Sequence, residues 1–149
     1  MEPKYTVSEI QVTYKPAIDE KPIICSALDA YNEFKKFFDP EIIALQEQFM
    51  VMYLNRANRV LGIYPLSKGG ITGTVADIRI ILSIALKIAA TGIILAHNHP
   101  SGSLRPSGVD IELTHKVKEA AQLMDIRVMD HLILTAESNY YSFGDEGMI

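Results

Sequence analysis

The stretch GIILAHNHPSGSLRPSGVD, residues 92–110, contains a buried strand, a loop and the start of a helix. Its apolar first half is too short for a typical helix and predicts a strand that begins at Gly92 and is ended by Pro100. Residues 101–106 have the glycine, serine and proline content of a loop. Ser107 then has the chemistry of a helix N-cap. A strand followed by a helix indicates an α/β unit.

The segments on either side of this stretch continue the alternation of strands and helices. The helix that starts at Ser107 has an apolar face of five residues, Val109, Leu113, Val117, Ala120 and Met124. Further strands are predicted at 127–134 and 140–143, and a hairpin at 49–54 and 60–64. Together these elements predict the α/β class, a mixed sheet with flanking helices.

The amino-terminal half supplies the remaining predicted elements. Residues 9–15 alternate polar and apolar, which predicts a strand, and a helix is predicted from Ser26 to about Phe38. Residues 71–72 favour a short strand. A helix is then expected from Thr74, which we predict to be central and buried. We expect one domain over residues 1–149, with 1–40 as an N-terminal extension.

Composition excludes several classes of protein. Fourteen basic and 18 acidic residues give a formal net charge of -4, which disfavours a nucleic-acid partner. The start of the chain has no apolar stretch typical of a signal peptide, and the apolar run at 75–90 is interrupted by four polar residues. We therefore expect a cytoplasmic protein without a membrane partner. Its single cysteine, Cys25, excludes an internal disulfide and is predicted to be partly buried.

Two histidines at the end of the predicted strand indicate a metal site. His97 and His99 are two residues apart, so their side chains project from the same face of a strand. Asp110 lies in the first turn of the next helix and could supply a third ligand. Two histidines, one carboxylate and an open position are typical of catalytic zinc.

Each part of this pattern has a plainer interpretation. Ser107 and Asp110 also form an ordinary capping box, and an isolated pair of histidines on a strand is a weak signal. The two patterns together are harder to explain without a ligand, because buried imidazoles need partners. Other zinc enzymes are disfavoured. The single cysteine excludes the ligand set of a nucleobase deaminase, and no His-Glu-x-x-His helix is present.

The spacing resembles that of the JAB/MPN (JAMM) family, which is His-x-His, seven residues, Ser, two residues, Asp. The stretch LAHNHPSG at 95–102 is similar to the RadC-like branch, as are DHLI at 130–133 and YSFGDEG at 141–147. The resemblance extends from about Glu47 to the C-terminus. It implies a cytidine-deaminase-like three-layer architecture.

The resemblance also implies roles for individual residues. His97, His99 and Asp110 would be the ligands of Zn²⁺, and Ser107 would stabilise a developing oxyanion. Glu47 would be the general base, with Glu41 as the weaker candidate. We expect His131 to support the site or the fold, and His115 to be exposed.

The function implied is that of a zinc metallopeptidase or isopeptidase that acts on an amide bond of a peptide or protein. The alternative is a non-catalytic MPN-type binding module, linked to DNA repair or mobile elements. No feature of the sequence predicts the oligomeric state.

Overall fold

A computed structural model describes residues 1–2, 4–17, 19–70 and 74–149. The helices are α1 (Ala27–Phe34), α2 (Ile78–Lys87) and α3 (Gly108–Leu123). The strands are β1 (Gln48–Leu54), β2 (Val60–Lys68), β3 (Gly92–Asn98), β4 (Arg127–Leu134) and β5 (Tyr140–Ser142). This mixed sheet with flanking helices confirms the predicted α/β class. The strand predicted at 71–72 lies outside the described residues.

The strands form one sheet in the order β2-β1-β3-β4-β5. Strands β3 and β4 are parallel and are joined through α3, whereas the other neighbouring pairs are antiparallel. Every residue of β1 and β3 is buried, in keeping with the apolar runs of their sequences. The site residues of β3 and α3 therefore belong to a single βαβ unit at the centre of the sheet.

Two apolar cores lie on opposite faces of this sheet. Helix α1 packs on one face, through residues that include Phe34, against Met52 and Ile94. Helices α2 and α3 pack on the other face, where Val51 and Leu95 belong to the core. The alternation of side chains along β1 and β3 divides them between the two cores. The result is the three-layer arrangement expected from the resemblance.

The strand predicted at residues 9–15 is absent. This segment has no regular secondary structure, and Ile10 and Val12 are 88% and 69% exposed. An alternating pattern forms a strand only where one face can be buried against a neighbour. Within the described residues, no strand of the sheet pairs with this segment.

Helix α1 starts where it was predicted and ends early. The Ser26 hydroxyl accepts a hydrogen bond from the Asp29 N–H at 3.2 Å, and the Asp29 carboxylate accepts one from the Cys25 N–H at 2.9 Å. The α-helix stops at Phe34 rather than near Phe38, because the chain tightens into turns. Cys25 is exposed, which corrects the prediction that it is partly buried.

Helix α2 differs from the prediction in its start and in its burial. Its N-cap is Asp77, not Thr74, and the Asp77 carboxylate accepts the Arg79 N–H at 2.9 Å. Only Ile81 and Ala85 are fully buried in the helix. It covers one face of the sheet with a narrow stripe, so the prediction of a central buried helix is wrong.

The buried face of α3 is rotated from the predicted one. Val117 is buried as expected, but Val109 is 74% exposed. Thr114 and Ala121 complete the inward stripe. A polar threonine thus points at the sheet, where the site lies.

Among the described residues, no helix combines the length and apolarity needed to cross a membrane.

Candidate metal centre

The side chains of His97, His99 and Asp110 converge beyond the end of β3. The His97 and His99 Nε2 atoms lie 3.0 Å apart. Asp110 Oδ1 lies 3.3 Å from His97 Nε2, and Asp110 Oδ2 lies 3.1 Å from His99 Nε2. The structure therefore brings together the three residues that the sequence predicted as a metal site.

The donor atoms of the three residues, one from each, lie within 4.8 Å of one another, close enough to bind one cation. In a tetrahedron with bonds of about 2.0–2.1 Å, neighbouring ligand atoms are about 3.3 Å apart. The two imidazole nitrogens are 3.0 Å apart, close to that edge length, and each lies beside a different carboxylate oxygen of Asp110. Two imidazole nitrogens and a carboxylate are also the donors that zinc accepts, so the residues present fit a zinc ion.

The capping box of α3 positions the Asp110 carboxylate. Asp110 Oδ2 accepts a hydrogen bond from the Ser107 N–H at 2.8 Å, and the Ser107 hydroxyl accepts one from the Asp110 N–H at 3.1 Å. The same carboxylate reaches His97 and His99. The two interpretations of this motif are therefore compatible, because the helix start orients a group that also faces the histidines.

The position of the His99 ring is determined by the loop that follows it. His99 Nδ1 lies 2.8 Å from the Ser103 carbonyl oxygen, which can only accept a hydrogen bond. Nδ1 therefore carries a proton, and in the neutral ring Nε2 has the free lone pair that faces Asp110. A backbone carbonyl on the far nitrogen is a common partner of a metal-binding histidine.

The charges of the cluster shift its own ionisation. Burial lowers the pKa of His99, but the Asp110 carboxylate and the Ser103 carbonyl outweigh burial and raise the pKa above its usual value. Burial alone would raise the pKa of Asp110. The neighbouring His97 and His99 imidazoles overcome this effect and hold that pKa well below its ordinary range. Asp110 is therefore a carboxylate at neutral pH, as a metal ligand must be.

Glu47 and Ser107 border the same open cavity as the cluster. The cavity has a volume of about 530 Å³, and its lining includes His99 and Asp110. Burial raises the pKa of Glu47, and the nearby charges of His97 and Asp110 act on it in opposite directions. Glu41 is exposed and does not line this cavity.

Asn98, between the two histidines, points to the other face of β3. Its side-chain oxygen accepts a hydrogen bond from the Gln48 N–H at 2.7 Å. Its amide group donates to the Ile43 and Gln46 carbonyls at 2.7 and 2.9 Å. One buried amide thus holds the chain on both sides of Glu47, and the sequence analysis assigned it no role.

His131 and Thr114 lie directly behind His97. His131 Nε2 is 2.8 Å from His97 Nδ1, and its Nδ1 is 2.6 Å from the Thr114 hydroxyl. Burial lowers the pKa of His131 well below its usual value, so the ring is neutral at neutral pH. His115 is exposed, as predicted. Thr114 was not among the predicted site residues; its local signal is a polar residue one turn after Asp110 on α3.

Comparison with known proteins identifies the family of this chain. The model of the RadC-like JAB domain matches residues 24–148. A UPF0758 protein of Flavobacterium johnsoniae is 50% identical over 102 residues, which are 68% of this chain and 44% of that protein. A UPF0758 protein of Porphyromonas gingivalis is 46% identical over 104 residues, 70% of this chain and 46% of that protein.

The chain spans less than half the length of these relatives. The family match covers all the strands, the helices and the whole candidate metal centre. Fold, site and match thus concern the same part of the sequence, and the chain belongs to the RadC-like JAB domain family.

Proposed function

We propose that this chain is a zinc-dependent metallohydrolase that cleaves an amide or isopeptide bond in a peptide or protein. The observation that carries the proposal is the convergence of one carboxylate and two imidazole nitrogens, within 4.8 Å of one another, beside an open cavity. Three protein ligands with a free position characterise catalytic rather than structural zinc. A zinc ion held by His97, His99 and Asp110 would lower the pKa of a bound water to about 7 and would polarise a substrate carbonyl.

Glu47 is the proposed general base. It borders the cavity, and its raised pKa brings the carboxyl closer to neutral pH, where a base also returns its proton effectively. Glu47 takes a proton from the attacking water and delivers it to the leaving amine. The hydrogen bonds of Asn98 hold the backbone on either side of Glu47.

Ser107 is the proposed oxyanion donor. Its oxygen already accepts the Asp110 N–H, so its own hydroxyl proton is free to donate into the cavity. A donor aimed at developing negative charge lowers the barrier of acyl transfer. The same arrangement without turnover would make the chain a binding module, which the experiments below distinguish.

The first experiment measures zinc per chain by mass spectrometry in wild type, His99→Ala and His115→Ala. We expect about one zinc per chain in wild type, none in His99→Ala, and wild-type content in His115→Ala, since His115 is exposed. Wild-type protein that binds no zinc after incubation with the metal would refute the zinc site.

The second experiment compares Glu47→Gln with Glu41→Gln on a panel of peptide and isopeptide substrates. Both variants should retain zinc, and only Glu47→Gln should lose hydrolysis, by about 10²–10⁴-fold. Normal hydrolysis by Glu47→Gln would exclude Glu47 as the base. Zinc binding without hydrolysis of any substrate by wild type would favour the binding module.

A further inference from the structure

A buried chain of polar groups extends from the candidate metal centre into the fold and returns to it. The Thr114 hydroxyl donates to the backbone carbonyl of Asp110 at 2.7 Å. The same oxygen is 2.6 Å from His131 Nδ1, and His131 Nε2 is 2.8 Å from His97 Nδ1. Thr114, His131 and His97 are 2%, 0% and 1% exposed. The three side chains of the chain are therefore buried, and each step is a contact of 2.6–2.8 Å between polar atoms.

The positions of the protons in this chain follow from its first member. The Asp110 carbonyl can only accept, so it takes the single hydroxyl proton of Thr114. Thr114 then presents a lone pair to His131, whose Nδ1 must carry a proton. Because the His131 ring is completely buried, where a charged ring would be costly, it carries one proton, so Nε2 is the acceptor and His97 Nδ1 must be the donor.

From this we propose that Thr114 and His131 are positioning residues that fix His97 as the tautomer protonated on Nδ1, with Nε2 free to bind a cation. The proposal rests on the metal site of the proposed function. A histidine whose outward nitrogen carried the proton could not bind a metal ion through that atom. The two residues thus decide which nitrogen of His97 is available.

Aromatic packing keeps the His131 ring in place. Phe143 stacks on it with ring centroids 4.8 Å apart and an interplanar angle of 12°. Phe49 contacts it edge-on at 5.6 Å. A ring held in this way cannot exchange its two nitrogens without moving its neighbours.

The loop of contacts also connects two ligands of the site. Its first acceptor is the backbone of Asp110, whose carboxylate faces His97 at 3.3 Å. Thr114 lies one turn after Asp110 on α3, and His131 lies on β4 beside β3. A change in the distance between α3 and β4 would therefore alter both the orientation of Asp110 and the position of the proton on the His97 ring.

The test is the ¹⁵N spectrum of the imidazole nitrogens in metal-free protein, recorded for wild type, Thr114→Val and Thr114→Ser. In wild type, we expect His97 and His131 each to carry the proton on Nδ1. Thr114→Val removes the acceptor of His131 while nearly preserving shape, and should abolish this pattern. Thr114→Ser keeps the hydroxyl and should restore it, with His115 unchanged throughout.

Zinc titration of the same variants gives an independent readout. Loss of a partner behind a ligand typically lowers metal affinity by about 10–100-fold, so we expect this loss in Thr114→Val and recovery in Thr114→Ser. Circular dichroism on each sample separates this effect from unfolding.

Two results would overturn the proposal. One is a wild-type spectrum with the His97 proton on Nε2, which needs no variant to fold. The other is a folded Thr114→Val protein with the wild-type spectrum and zinc affinity. Neither depends on catalysis, so a protein with the expected tautomer and zinc affinity but no hydrolysis would refute only the proposed enzyme.

Discussion

Replacement of Asp110 by alanine should separate its role in metal binding from its role at the start of α3. Asp77 is the matched control. Both carboxylates accept a backbone N–H at a helix N-terminus, from Ser107 and from Arg79 respectively. Only Asp110 also faces His97 and His99. Asp77→Ala therefore removes a cap without touching the site.

The two contributions differ in size. Loss of the backbone hydrogen bond and of the interaction with the helix dipole should cost metal-free Asp110→Ala about 1–2 kcal/mol. Zinc at about 100 times its Kd adds about 2.7 kcal/mol to the stability of a protein that binds it only when folded. For a chain of this length, that increment raises the Tm by roughly 5–10 °C.

Differential scanning calorimetry with and without zinc tests this reasoning. Wild type and Asp77→Ala should show the same zinc-dependent rise in Tm, although the control starts from a lower value. Asp110→Ala should show no rise. A rise of equal size in Asp110→Ala and wild type would refute Asp110 as a ligand and leave it only the capping role.

Three further predictions concern the fold around the site. Gly144→Ala should lower the free energy of unfolding in urea by about 1–3 kcal/mol, because the added Cβ would lie 3.3 Å from the Asp130 carboxylate. Gly62→Ala, with no atom within 4 Å of its Cβ, should change stability little, and equal losses would contradict the steric reason. Tyr53→Phe should cost about 1 kcal/mol, since the buried hydroxyl donates to the Ile81 carbonyl at 2.9 Å, and an unchanged urea midpoint would contradict this. Burial raises the pKa of Asp130 above its usual 3.8 despite three hydrogen bonds. The folded state thus holds this proton more tightly than the unfolded state does. The free energy of unfolding of wild type relative to Asp130→Asn should therefore fall as the pH rises from the unfolded-state pKa of Asp130 through its higher folded-state pKa. A relative stability that rises there would show that the hydrogen bonds outweigh burial.

Local signals predicted the elements that carry the candidate site. The apolar run before His97, ended by Pro100, is too short for a typical helix and therefore predicts a strand. Ser107 caps the helix that follows. Both features depend on neighbours in the sequence. The same is true of β4, whose predicted limits at residues 127–134 are those observed.

Several of the errors and omissions have their physical origin in long-range contacts. Residues 9–15 have the alternation of a strand but no partner, and sequence alone does not supply one. The hydrogen bond of Thr114 joins it to His131, 17 residues away on another element. Glu47 reaches the site because β1 pairs with β3 in the register that places Phe49 beside His97. Strand partners, contacts between elements and strand register are set by the tertiary structure and not by neighbouring residues in the sequence.

The three hydrogen bonds of Asn98 restrict how β3 can change length during evolution. His97 and Asn98 use opposite faces of the strand, one for the cluster and one for the segment around Glu47. Inserting or deleting one residue within β3 would exchange those faces, so an amide would point at the cluster and an imidazole at the segment. The metal cluster and the hydrogen bonds that hold the segment around Glu47 would then be lost together. Length variants of this strand that retain the site should therefore differ by two residues.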